Sequence, residues 1–318
     1  MMSTPRRNFL AGAGAMAAMA ALSPWQAARA QGGGKRTRLI LLGTGGGPRI
    51  IANGRSKPAN LLVINGAPYV IDCGEGVAHQ MERAGVPVSS LRYVFITHHH
   101  SDHDLDYGNL IYDGWAAGLR TPVDTYGPPP TKAMTAAYWE LNKFDIETRI
   151  ADEGRPDLRK LVTVHEFDKP GLVMQNDDVK VTAARVRHPP ITQAYAYRFD
   201  AADRSIVFSG DTTFSPELIE LARGADVLVH EVMHLGGMET LLKRVNNAAT
   251  LREHLLASHT VTEDVGKVAA AAGVKTLVLS HLVPSDDNSL TDEVWIEGVR
   301  KHFSGQVVVG RDLLEIQI

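Results

Sequence analysis

Short apolar runs, separated by residues that favour turns, follow one another along most of the chain. Their length and their content of Val, Ile, Leu and Tyr are typical of β-strands. Asn65-Gly66 separates two of these runs, and this dipeptide favours a two-residue hairpin turn. Strands are predicted over residues 38–45, 60–64, 69–74, 93–97, 179–186, 194–199, 205–211, 225–231, 275–281, 306–310 and 313–318.

Helical signals alternate with some of these strands. Ser215 precedes a proline, and a serine followed by proline is typical of a helix start, here over residues 215–223. Thr260 and Glu263 have the spacing of a capping box ahead of an alanine-rich segment. Many short strands with interspersed helices predict two sheets with helices packed outside them. Two more helices are predicted, over residues 131–144 and 291–303.

The first 30 residues have a different pattern. Arg6 and Arg7 precede an uncharged stretch rich in Ala, Gly and Met, which ends in small residues at Ala28 and Ala30. This arrangement predicts an export signal over residues 1–30, resembling the twin-arginine type, with an ordinary secretory signal as the alternative. The apolar stretch, at about 14 residues, is shorter than the roughly 20 that span a bilayer. We therefore expect a periplasmic or secreted protein without a membrane anchor.

Composition indicates an ordinary globular domain over residues 31–318, because 44% of the chain is hydrophobic and 22% is charged. Residues 1–30 contain three arginines and no acid, so cleavage after Ala30 would change the formal charge from −3 to −6. An acidic protein does not favour a polyanionic partner. Cys73 is the only cysteine, so the chain cannot form an internal disulfide.

The densest cluster of metal-ligand residues is THHHSDHD, residues 97–104, directly behind an apolar run. His98 and His100 are two residues apart, so in extended backbone both side chains leave on the same side and can bind one ion. Asp102 and His103 follow at once and can reach a neighbouring position. Buried histidines and carboxylates need partners that offset lost hydration, and metal ions provide them.

Three further residues of the same chemical type end apolar strands downstream, namely His188, Asp211 and His281. A ligand residue at several strand ends predicts that the sheets return to a common edge. Histidine and carboxylate ligands without cysteine favour two zinc ions, with manganese or iron as alternatives. Two such ions can share a hydroxide nucleophile, which predicts a hydrolase. One ion is assigned to His98, His100, His188 and Asp211, and the other to Asp102, His103, His281 and the bridging Asp211.

The order of these residues resembles the metallo-β-lactamase superfamily, whose hallmark H-x-H-x-D-H is matched by residues 98–103. The later His, Gly-Asp and His follow in the family's order. The resemblance covers nearly all of residues 31–318. It implies an αββα sandwich with a dinuclear metal site at one edge of the sheets.

Shorter motifs resemble the ribonuclease Z and arylsulfatase branch of that superfamily. They are LGTGGGPR, DCGEG, YAYR, GDT, His230-Glu231 and His259-Thr260. The resemblance implies that His259 and Glu231 assist the leaving group, so that Asp102, His259 and Glu231 form the catalytic set. Homodimers are common in this branch, and a homodimer is therefore one expectation.

One departure bears on the substrate. Ribonuclease Z enzymes carry a long arm that grips tRNA, commonly after the segment that matches YAYR, but only about a dozen residues separate Tyr197 from Gly210. Together with the export signal and the acidic charge, this predicts no nucleic-acid partner and a small-molecule ester substrate, either a sulfate ester or a phosphodiester. The alternatives are a β-lactamase, lactonase or thioesterase with the same site, and a non-catalytic metal-binding protein.

Other polar residues are predicted to have supporting or solvent-exposed roles. Asp72 is expected to steady the ligand loop rather than to bind metal. The glycines of LGTGGGP are expected to form a turn near the site, because the P-loop lysine is missing. Surface positions are predicted for His79, His165, His254 and His302.

Overall fold

Two seven-stranded sheets pack face to face, with helices on both outer faces. The computed structural model describes residues 37–52 and 54–317, and the predicted signal peptide over residues 1–30 lies outside them. Residues Arg36–Ile318 form one compact unit. The predicted αββα fold class is confirmed by this layering.

The first sheet contains the N-terminal half of the described strands and the last one. The turn between its second and third strands has positive φ at Asn65 (51°) and Gly66 (88°), which is the hairpin turn that the dipeptide predicts. The strands are β1 (Arg38–Gly43), β2 (Ala59–Ile64), β3 (Ala67–Ile71), β4 (Tyr93–Phe95), β5 (Val123–Gly127), β6 (Val162–Glu166) and β14 (Leu314–Ile316), in the spatial order β14-β1-β2-β3-β4-β5-β6.

The second sheet is built from the remaining strands. Its central members, together with the strand at one edge, run parallel to one another and end on the same side. The strands are β7 (Gly171–Gln175), β8 (Val179–Arg185), β9 (Tyr195–Ala201), β10 (Ser205–Phe208), β11 (Val227–Met233), β12 (Thr276–Val283) and β13 (Gln306–Val309), in the spatial order β13-β12-β11-β10-β9-β8-β7.

Helices of the described part range from one turn to three turns, and none is long and apolar enough to cross a bilayer. Short 3₁₀ segments occur at Val88–Ser90 and Leu158–Lys160. The α-helices are α1 (Val77–Arg83), α2 (Ser101–Asp104), α3 (Tyr107–Ala116), α4 (Thr131–Leu141), α5 (Lys143–Glu153), α6 (Pro216–Ala222), α7 (Leu235–Leu242), α8 (Ala248–Ser258), α9 (Thr262–Ala272) and α10 (Asp292–Arg300).

Alternation along the strands divides the core into three layers. In β1, Leu39 and Leu41 pack between the sheets, whereas Ile40 and Leu42 face the outer helices, as a period of two requires. Phe95 is the centre of the inner layer, with its ring 5.0 Å from that of Phe199 in the other sheet. Each fully buried side chain of this size contributes about 1.5–3 kcal/mol. The core therefore holds the ends of the two sheets in fixed relative positions.

Two helix predictions differ from the structure. The segment predicted as one helix over residues 131–144 forms α4 and the start of α5, separated at Asn142. The capping box at Thr260 is not formed, because α9 begins at Thr262 with Val261 as its N-cap. Thr260 instead donates its N–H to Glu231 (2.8 Å) and its hydroxyl to the carbonyl of Thr212 (2.5 Å). Tertiary hydrogen bonds at this point replace the local cap.

The two sheets are joined where parallel strands end. The N–H of Tyr195 in the second sheet donates to the carbonyl of Thr97, which follows β4 in the first sheet (3.0 Å). At the other side, the N–H of Leu282 in β12 donates to the carbonyl of Thr44 after β1 (2.9 Å). One common edge of the sandwich therefore contains the residues that follow β4, β8 and β10 and those at the end of β12.

We predict that Ser215→Ala lowers the free energy of unfolding by about 1 kcal/mol. Ser215 is buried, and its hydroxyl accepts the N–H of Leu218 (3.3 Å) at the start of α6. Urea unfolding followed by circular dichroism measures the change. Ser304→Ala, at an exposed position between α10 and β13, is the control and should change stability by less than about 0.5 kcal/mol. Equal effects of the two variants would contradict a capping role.

Candidate metal centre

The structure brings together all seven side chains that the sequence predicts as metal ligands. Asp211 lies at their centre, with its Oδ2 3.9 Å from Nε2 of His98 and 4.0 Å from Nε2 of His188. The same oxygen lies 3.3 Å from Nε2 of His103 and 3.1 Å from Nε2 of His281. The ligand-type atoms of these residues form two groups, each within 4.8 Å, consisting of His98, His100, His188 and Asp211, and of Asp102, His103 and His281. A third group within the same distance joins Asp211 and His281 to His259.

The loop after β4 supplies four of these side chains by a change of backbone conformation. His100 is still extended (φ −106°, ψ 147°), so His98 and His100 leave on the same side, and Nε2 of His98 lies 3.2 Å from Nδ1 of His100. The chain then forms the single turn of α2, which directs Asp102 and His103 toward the second group. His99, between them, turns away and contacts Asp104 (2.8 Å).

Asp72, at the end of β3, supports this loop from behind. Its carboxylate accepts the N–H of Thr97 (2.8 Å), the hydroxyl of Thr97 (2.9 Å) and Nδ1–H of His103 (2.8 Å). Because Nδ1 of His103 is the donor to Asp72, its Nε2 is left without a proton to face the cluster when the ring is neutral. Among the described residues this buried Nε2 has no hydrogen-bond partner of acceptable geometry, which is typical of a metal-ligating atom.

The remaining ligands are held from the second sheet. Nδ1 of His188 donates to the carbonyl of Ser258 (2.9 Å), so its Nε2 faces the cluster. His281 has positive φ (44°) and approaches Gly46 so closely that a Cβ at residue 46 would lie 2.7 Å from its ring. The N–H of Gly47 donates to Oδ2 of Asp102 (2.9 Å). The glycine-rich turn after β1 thus lets backbone approach the ligands, as a turn was predicted there.

Burial and the two carboxylates act on the histidines in opposite directions. Burial lowers the pKa of His188 to about 4, and it also lowers the pKa of His98 well below its ordinary value, with His103 adding to the effect. Burial also opposes protonation of His281, but the carboxylates of Asp211 and Asp102 outweigh it and raise the pKa of His281 to about 10. The negative charges of Asp211 and Asp102 therefore need a cation to stabilise them, either a proton on a histidine or a metal ion.

The donor set fits divalent metal ions better than protons. The seven side chains offer ring nitrogens and carboxylate oxygens, all but His100 are buried, and Asp211 is placed to serve both groups. A buried carboxylate among ring nitrogens is stabilised when a divalent ion accepts their lone pairs. We conclude that this edge of the sandwich is a site for divalent metal ions.

Glu231 and His259 lie beside the metal ligands. Glu231, in β11, is buried, and its Oε1 accepts the N–H of Thr260 (2.8 Å) and of Thr212 (3.3 Å). Its Oε2 lies 3.3 Å from Nδ1 of His259. The ring of His259 stacks on that of His281, with centroids 5.5 Å apart. This pair is therefore rigidly placed next to the cluster, and a proton on His259 can face whatever the ions bind.

A cavity of about 390 Å³ opens from the cluster toward α7 and α8. Two of its lining residues were missed by the sequence analysis. His254, predicted at the surface, is half-buried in the wall, with its ring 6.2 Å from that of His100 and 6.1 Å from that of His188. Arg49, at the end of the glycine-rich turn, lines the mouth. The sequence could have indicated that His254 lies near the site, because it precedes Ser258 and His259 by about one helical turn.

Comparison with known proteins gives consistent matches. Residues 68–282 match a model described as the β-lactamase superfamily domain. A ribonuclease Z of Mycobacterium avium is 32% identical over 287 residues, which are 88% of this chain and 98% of that protein. Two solved structures share the fold. The metallo-β-lactamase fold protein YhfI of Bacillus subtilis has a TM-score of 0.64 and 19% identity, over 88% of this chain and 98% of that chain. The short form of human tRNase Z has a TM-score of 0.63 and 20% identity, over 88% of this chain and 99% of that chain.

Asp211→Asn is predicted to reduce bound metal from about two ions per chain to less than one, because the substitution removes the charge that both groups share. Metal content after dialysis, measured by elemental mass spectrometry, tests this. Asp177→Asn, at an exposed position, should leave the metal content unchanged. Undiminished metal in Asp211→Asn would exclude a bridging role for this carboxylate.

Asp72→Asn should weaken metal binding by roughly 10–100-fold, because His103 loses its charged hydrogen-bond acceptor. Competition with a chromogenic chelator measures the affinity. Asp104→Asn is a matched control, since Asp104 also accepts from a histidine, His99, that faces away from the cluster. A similar loss of affinity in both variants would indicate a general effect on the loop instead of support for one ligand.

Proposed function

The chain belongs to the metallo-β-lactamase superfamily, with ribonuclease Z among its homologues, and on this premise we propose that it is a metal-dependent ribonuclease. It would hydrolyse a phosphodiester bond in RNA, with tRNA precursors as the first substrates to test. The observation that carries the proposal is a double metal-ligand cluster, with the pair Glu231 and His259 beside it, in a chain that aligns with 98% of a ribonuclease Z.

This conclusion corrects two sequence-based expectations. The sequence predicts a hydrolase of sulfate esters or small phosphodiesters, and it predicts no nucleic-acid partner. The ribonuclease Z homologues contradict both expectations. The predicted periplasmic location rests on residues outside the described part of the chain and stays a prediction.

The short connection between β9 and β10 does not exclude a ribonuclease. Strands β9 and β10 are joined directly by residues 202–204, so no arm lies between them. The alignment of 287 residues covers 98% of the Mycobacterium avium ribonuclease Z, so that protein has no long segment that this chain lacks. Absence of an arm at this point therefore does not separate the chain from its ribonuclease Z homologue.

The net charge of the chain does not predict whether RNA binds. An RNA phosphate responds to the local electrostatic field of the site and not to the average charge of the chain. The charge of two divalent ions exceeds that of Asp102 and Asp211, the two carboxylates among the ligands. A site with local positive charge can bind a phosphodiester although the formal charge of the whole chain is −3.

Zinc is the metal that the ligands favour, since the set contains imidazole and carboxylate but no cysteine. His98, His100 and His188 would hold one ion, Asp102, His103 and His281 the other, and Asp211 both. When bound, the ions supply a water of lowered pKa and positive charge opposite the oxygens of the phosphoryl group.

The chain's own residues complete the chemistry on the leaving side. Glu231 accepts two backbone N–H groups and faces Nδ1 of His259, so it fixes the orientation of that ring. His259, stacked on His281, would donate a proton to the departing ester oxygen, which leaves more easily as an alcohol than as an alkoxide. The N–H of Gly47 holds Asp102 in position.

We predict that the purified protein cleaves a tRNA precursor, and that His259→Ala lowers kcat by roughly 10²–10⁴-fold with unchanged metal content. Gel analysis of end-labelled transcript measures cleavage, and excess chelator should abolish it. Glu231→Gln should also lower kcat, because the amide has one acceptor oxygen, and that oxygen cannot serve both the two backbone N–H groups and the ring of His259.

His302→Ala is the control, because His302 pairs with Glu263 on the surface and should not affect cleavage. Parallel assays with p-nitrophenyl sulfate and nitrocefin should show no turnover. Turnover of either compound without any cleavage of RNA would contradict the proposed function.

A further inference from the structure

We propose that the cavity beside the metal centre binds one unpaired nucleobase of the RNA, next to the scissile phosphate, and that Arg49 contacts a neighbouring phosphate. The inference rests on the proposed function and adds the form of substrate that the site accepts. It identifies three side chains, Leu251, His254 and Arg49, as determinants of specificity.

The cavity has two chemically different walls. One wall consists of the metal-ligand cluster and His259, which are suited to a phosphoryl group. Another part of the lining is aliphatic and comes from the segment that includes α7 and α8. Leu241, Val245 and Leu251 belong to the small apolar cluster under these helices, but they are only partly buried and line the cavity. An aliphatic wall offers nothing to a phosphate, so it must accommodate an uncharged part of the substrate.

Size restricts that part to a single base. A cavity of about 390 Å³ is near the lower end of the range for small-ligand sites, roughly 300–1,000 Å³. One nucleoside is of this size, whereas a base-paired stem, in which bases are stacked and covered by their partners, cannot enter. A base that enters must therefore be unpaired.

His254 provides the aromatic surface that a base prefers. Its ring lies in the cavity wall on the same helix, α8, as Leu251, about one turn away. Bases stack on aromatic and imidazole rings with little sequence preference. A base that stacks on His254 and contacts Leu251 would lie beside His100 and His188, and its backbone phosphate would face the metal centre.

An arginine that lines the cavity, Arg49, can leave its ion pair with Asp286. Asp286 is paired with two arginines, and Arg244 holds both of its carboxylate oxygens (3.0 Å each). Arg49 contacts only one of them, and its side chain is 58% exposed. Arg49 can therefore turn to an RNA phosphate while Arg244 keeps Asp286 paired, and an arginine fork suits a phosphate.

The test compares one RNA substrate with two versions that lack a single base, on either side of the scissile phosphate. For the wild-type protein, removal of one of the two bases should lower kcat/KM by about tenfold or more, since stacking and apolar contact are lost. Leu251→Trp, which fills the cavity, and His254→Ala should each lower kcat/KM for the complete RNA. The lowered value should approach that of the wild-type protein on the abasic RNA that it cleaves more slowly. Their rates on the abasic RNA should stay near the wild-type rate.

Leu256→Ala is the matched control, because Leu256 lies on the same helix and is exposed away from the cavity. Arg49→Ala should lower kcat/KM equally for complete and abasic RNA. The abasic rate also reports folding, and His254→Ala carries the test if Leu251→Trp does not fold. Equal wild-type rates on all three RNAs would overturn the base pocket and leave the ribonuclease intact, whereas no cleavage of any RNA would overturn both.

Discussion

The site depends on one buried carboxylate, that of Asp211, which lies within 4 Å of the ring nitrogens of four histidines. A carboxylate removed from water is stable only if cations or hydrogen-bond donors replace the lost hydration. Here the replacement comes from both sheets at once, because His98 and His103 follow β4 of the first sheet, whereas His188 follows β8 and His281 lies in β12 of the second sheet. The metal centre therefore forms only when the two sheets are correctly packed.

The fold supplies this convergence through parallel strands. Parallel neighbours end on the same side of a sheet, so the loops behind them meet at one edge, and the aromatic core around Phe95 holds the two edges together. The contacts between Tyr195 and Thr97 and between Leu282 and Thr44 close the edge at backbone level. Rigid strands thus position the ligands, while the surrounding loops and helices are free to determine the substrate.

Reaction type and substrate choice reside in different parts of the cavity. The cluster with Glu231 and His259 belongs to the sandwich and carries the proposed hydrolysis of a phosphodiester. The aliphatic wall belongs to α7 and α8, which lie outside the sheets and pack through a separate small apolar cluster. Changes in these two helices can alter what enters the cavity without moving a metal ligand.

The sequence by itself determined eleven of the fourteen described strands, the layering and the identity of the seven ligand candidates, but it did not indicate β5, β6 and β7. These depend on periodicity, on turn dipeptides such as Asn65-Gly66, and on His or Asp at strand ends, all of which are local signals. It did not determine the cap at Thr260, the place of His254, or the pairing of Arg49 with Asp286, because each depends on partners that are distant along the chain. Substrate inference from charge and a missing arm failed for a related reason. Net charge averages over the whole surface, whereas binding is decided by the field and shape of one cavity, and only the tertiary structure assembles that cavity.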